Sequence, residues 1–73
     1  MTLYTWTLRA ADMLDGAQSL DDIVAMLLDT ADQLAAMKEA GCWLQSAGPQ
    51  GVVIVTTLPL VAEHFEMIPG GEM

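Results

Sequence analysis

Cys42 and His64 are the only thiol and the only imidazole in the 73-residue chain, so they make up its whole stock of conventional nucleophile and base. A histidine beside a cysteine can take the thiol proton and create a thiolate nucleophile. Their surroundings do not support that chemistry. Neither residue is flanked by a glycine pattern that would supply oxyanion donors, and no third residue is placed to orient the imidazole. The plainer reading makes Cys42 a small buried hydrophobe at the start of a strand and His64 an exposed helix residue beside Glu63 and Glu66.

The carboxylates are the second reservoir. Ten Asp and Glu against two Lys and Arg give a net charge of −8. Asp12, Asp15, Asp21 and Asp22 surround a break between two helical stretches, but the alternate oxygen ligands and closing glutamate of a calcium loop are missing. A structural zinc would need about four ligands, and the only soft ones share no motif spacing. No metal and no cofactor is expected. The glycines also point away from phosphate binding: Gly16 and Gly41 stop helices, and Gly48 and Gly51 frame a turn.

The charge sorts partners as well. With Arg9 and Lys38 as the only fixed cations, nucleic acid and anionic lipid are both repelled. A row of carboxylates, Asp29, Asp32 and Glu39, could instead imitate a phosphate backbone and occupy the basic surface of a nucleic-acid-binding protein. Solubility of an apolar chain explains the same residues. The lone cysteine fits a reducing compartment, and the N-terminus lacks a basic leader, so the expected location is cytoplasmic. No apolar run reaches the roughly 18 residues of a membrane span.

The elements that would position these groups follow from periodicity. Leu20 to Ala40 is a helix with Ser19 as its N-cap, Asp21 and Asp22 in the first turn, Lys38 in the last and Gly41 beyond it. Ser19 and Asp22 stand at capping-box spacing. Projected at about 100° per residue, Met26, Met37, Ile23, Leu34, Leu27, Leu20, Ala31, Val24, Ala35 and Leu28 cover an arc of roughly 200°, too wide for one neighbour.

Before this helix, Trp6, Ala10, Met13, Leu14 and Ala17 share a face, which predicts a short helix ending at Gly16. The alternation of Tyr4, Trp6 and Leu8 with threonines favours a strand over Leu3 to Leu8. The two readings can follow one another, extended to about Thr5 and helical after it. After Gly41 the chain reads as a hairpin, with strands at Cys42–Ser46 and Val52–Thr57 and a turn through Pro49 and Gly51. Val52 to Val55 are apolar on both faces, which asks for cover on both. Thr57 is placed to cap a last short helix with Pro59 in its first turn, directing Val61, Phe65 and Leu58 inward.

The expected fold is α+β: a short N-terminal helix, a long central helix, a two-stranded antiparallel hairpin and a short C-terminal helix. Residues 1–68 form one small acidic domain and 69–73 a flexible tail after Pro69-Gly70-Gly71. A hairpin alone is marginal and needs a third strand, from the N-terminal segment or from another copy. Fifty-three per cent hydrophobic residues in so short a chain exceed what its interior can hide.

The leading functional expectation is a non-enzymatic protein–protein interaction module, a homo-oligomer or a small accessory subunit. Its interface would draw on Val24, Met26, Leu28, Met37, Val53 and Val55, with Asp29, Asp32 and Glu39 as an acidic face. The alternative is the acidic inhibitor of a basic protein partner, and an enzyme built on Cys42 and His64 comes third.

Overall fold

The computed structural model describes residues 1–72. Strand β1 (Thr2–Arg9) leads through the single turn α1 (Ala10–Met13) to the long helix α2 (Leu20–Glu39). Strands β2 (Trp43–Gly48) and β3 (Gly51–Thr56), helix α3 (Pro59–His64) and strand β4 (Ile68–Glu72) follow. The strands form one antiparallel sheet in the order β2-β3-β1-β4. The architecture is α+β, and no helix among the described residues is long and apolar enough to cross a membrane.

Three expectations change. The N-terminal segment is strand through Arg9, and its helix shrinks to one turn. The threonines and aromatics of β1 are satisfied by pairing, with β3 from Tyr4 onward, Tyr4 opposite Thr56 and Leu8 opposite Val52, and with β4 over Thr2–Thr5, so the third strand that the hairpin needs comes from the same chain. The flexible tail is instead β4 as far as Glu72, while Met73 lies outside the described residues. Pro69 is tolerated because β4 is an edge strand, and Gly70 sits at a bulge where a Cβ would run into the Thr5 side chain. Finally, Thr57 is not the cap of α3. Leu58 holds that position without a side-chain cap, and the Thr56 hydroxyl accepts the Leu58 N–H at 3.2 Å.

The hairpin turn falls where it was expected, with Gly48 opposite Gly51 around Pro49-Gln50. Gly51, at φ +144°, lies against β1 so closely that a Cβ would fall on the Leu8 carbonyl oxygen. Gln45 is an extra residue in β2, between Leu44 opposite Ile54 and Ser46 opposite Val53. Opposed residues share a face. Tyr4, Trp6 and Ile54 therefore lie on the face packed against the core, and Thr5, Thr7, Val53 and Val55 lie on the other.

The core is built by two helix endings. At the end of α2, Gly41 N–H donates to the Lys38 carbonyl at 3.1 Å and Cys42 N–H to the Met37 carbonyl at 3.0 Å, with Gly41 at φ +100°. This is a Schellman motif, whose third-last and second-following residues meet through their side chains. The end of α3 repeats it. Glu66 N–H donates to Glu63 at 3.2 Å and Met67 N–H to Ala62 at 2.8 Å, with Glu66 at φ +56°. The residues that the two motifs bring together, Met37 with Cys42 and Ala62 with Met67, are the four members of the buried cluster. Tyr4, Trp6, Ile54, Val61 and Phe65 pack around it.

Glu66 occupies the left-handed position that glycine fills in α2. A left-handed non-glycine residue costs roughly 1–2 kcal/mol, and the exposed Glu66 side chain buries nothing that would offset it. Glu66→Gly is expected to stabilise the fold by about 1 kcal/mol, raising the melting temperature by about 4–8 °C, and Gly41→Ala to lower it by a similar amount. Thermal unfolding followed by circular dichroism checks both signs.

Candidate functional site

Helix α2 is capped as its sequence demands. Ser19 Oγ accepts the Asp22 N–H at 3.1 Å, and Asp22 Oδ2 accepts from the Gln18 N–H at 2.9 Å, one residue before the usual capping-box partner. The wide apolar arc of the helix divides in two. Met37 is buried, and Ile23, Met26 and Leu34 on its side of the helix are half-buried. The other half of the arc faces out: Leu20 is 80% exposed, Val24 54%, Leu27 46% and Leu28 61%, with Ala31 and Ala35 exposed between them.

The expected interface residues therefore separate. Val24 and Leu28 lie on the open face, and Met26 is half-buried on the packed one, at helical spacing from Met37. Met37 and Val55 are each only 1% exposed, so both are taken up inside one chain and neither can present a surface to another. Met37 is held there by the Schellman contact, and Val55 lies in its sheet row between Thr5 and Trp43. Val53 is half-buried on the sheet face away from the core. Asp29, Asp32 and Glu39 are all exposed on α2, Asp32 and Glu39 along the rim of the open apolar stripe and Asp29 further round the helix. The sequence arc contained Leu20 and Leu27, but the expected interface left them out, and the structure places both on this stripe. Their 3- and 4-residue spacing from Val24 and Ala31 was there to be read.

Cys42 and His64 are not brought together as a catalytic pair. Cys42 lines a groove of about 320 Å³ with Leu34, Trp43, Leu44, Ile54 and Lys38, on one flank of α2. His64 is exposed on the other flank, in a groove shared with Glu39, Leu60 and Phe65, its ring edge-on to Phe65 at 4.7 Å. Among the described residues no three of His, Cys, Asp and Glu converge into a metal-holding group.

Burial pushes the Cys42 thiol above its ordinary range, and a hydrogen bond with the buried Thr56 offsets only part of that. Such a thiol is a weak nucleophile at neutral pH. Because the folded value is raised, the unfolded chain loses this proton first as pH rises, and folding stability falls. The contribution is full below the ordinary thiol pKa of about 8.5 and is lost as pH rises through the folded value. The melting temperature of the native protein is therefore expected to drop more steeply above about pH 8 than that of Cys42→Ala. Parallel pH profiles for the two proteins would contradict this account of the thiol.

Compared with protein families, curated proteins and solved structures, the chain matches none of them.

Proposed function

We propose that the chain is a non-enzymatic protein–protein interaction module, working as a homo-oligomer or as a small subunit of a larger assembly. Its binding surface is the outward face of α2. The observation that carries this reading is the row of Leu20, Val24, Leu27 and Leu28, between 46% and 80% exposed on a fully capped helix. Scattered apolar residues on a surface are ordinary, whereas a contiguous stripe rimmed by carboxylates has the composition of an interface core with a polar rim.

The extended shape supports the same reading. The Cα radius of gyration is 13.2 Å against roughly 11 Å for a compact chain of this length, and the principal extents are 43 × 22 × 15 Å. A domain only 15 Å deep has no second layer in which to hide the outer side of α2.

Val24→Gln combined with Leu28→Glu is the test. Both side chains are exposed, so the melting temperature of the double variant is expected to stay within a few degrees of the native value, since exposed changes move stability by about 0.5 kcal/mol or less. Association, with itself or with a partner retained from lysate of the source cells, is expected to fall at least tenfold. Equal retention by native and variant baits would remove α2 as the binding surface.

A further inference from the structure

The outward stripe of α2 carries more order than hydrophobicity alone. The exposed Leu20, Val24, Leu27 and Ala31, continued by the half-buried Leu34 at the edge of the packed side and by Lys38, follow one another at steps of 4, 3, 4, 3 and 4, the repeat of a coiled-coil seam. One side of this seam is bordered by Ile23, Thr30 and Met37, which turn toward their own chain. The other side is bordered by Asp21, Leu28 and Ala35. Of the remaining helix carboxylates, Asp32 and Glu39 fall beyond Leu28 on the rim and Asp22 and Asp29 at the back of the helix, so none stands in the seam. A second copy, although it also carries −8, can therefore approach along this line with its carboxylates held apart.

From this pattern we infer that two copies pair through α2, antiparallel about a two-fold axis at the level of Asp29. The inference rests on the interaction-module reading and names the partner of that same surface. Two features select the antiparallel arrangement. The first is charge. Lys38 is the only cation on α2 and stands at its C-terminal end, while Asp21 stands at its N-terminal end. Antiparallel pairing brings each Lys38 to the other copy's Asp21 and opposes the helix dipoles. Parallel pairing would set Lys38 against Lys38 and Asp21 against Asp21. The second feature is volume. Antiparallel pairing places Leu27 opposite Ala31, large against small, and Val24 opposite Leu34. Parallel pairing would face Ala31 with Ala31 and leave a void.

The test combines spin-label distances with charge exchange. Glu39 is exposed and off the seam, so a label at Glu39→Cys in a Cys42→Ala background leaves the contact intact. The antiparallel pair puts the two labels about 30 Å apart along the helix axes, because twenty residues separate position 39 from the level it faces. A parallel pair would put them at one level, about 10–15 Å apart. Lys38→Glu alone and Asp21→Lys alone are each expected to weaken the dimer about tenfold, and the double exchange to restore it.

A short label distance, an undiminished dimer in either single variant, or a monomer at about 100 µM overturns the inference. The module reading is judged separately. A monomer whose outward face still retains a different protein, and loses it in the Val24→Gln/Leu28→Glu variant, defeats the second copy and leaves the surface standing.

Discussion

The structure depends on how its two longer helices end. A chain of 73 residues buries only about 60% of its unfolded surface, so it has little interior to distribute, and here the interior is placed at two Schellman motifs. Each motif turns the chain sharply while holding the residue before the turn against the one after it. Met37 is thereby fixed to Cys42 and Ala62 to Met67, and the four form one cluster under Tyr4, Trp6 and Ile54. The same turns aim the chain into β2 and toward β4, so sheet order and core follow from a single local device used twice.

Placing the core at the helix ends has a consequence for the rest of α2. The helix is held by its C-terminal third, where Met37 is buried, and along its inner side by half-buried residues. Its outer side has no such anchor. Leu20, Val24 and Leu28 remain in water, at a cost of very roughly 1.5–3 kcal/mol per large side chain relative to full burial. In a domain whose net stability is of order 5–10 kcal/mol that is a substantial reserve, available to whatever covers the stripe. The acidity of the chain limits the choice of cover. Carboxylates repel a like-charged partner except along a line from which they are excluded, and the seam is such a line.

Much of this was legible in the sequence wherever a local rule decided the matter. Ser19, Gly41 and the dipole-complementing charges bounded α2, and Gly48-Pro49-Gln50-Gly51 gave the hairpin its turn. What escaped was decided by pairing at a distance. Thr2–Arg9 carried helical and pleated patterns together, and its pairing with β3 on one side and β4 on the other decides for the strand. Ile68–Glu72 contains a proline and two glycines and reads as an ending, yet the free edge of β1 recruits it. Glu66 in a left-handed conformation could not be foreseen, because the usual glycine signal is absent. The candidate surface was half legible. The 200° arc was visible, but not the burial of Met37, because periodicity shows that a face is apolar and not which part of it a short sheet will reach.

The central claim is that the outward face of α2 is covered by a second copy of the same helix, and amide hydrogen exchange as a function of protein concentration tests it most directly. Between about 5 and about 500 µM, mass action is expected to slow exchange along the Val24–Leu34 stretch of α2, while amides of the β1–β3 pairing stay constant. Exchange in α2 that is independent of concentration, or slowed equally throughout the sheet, would contradict the account.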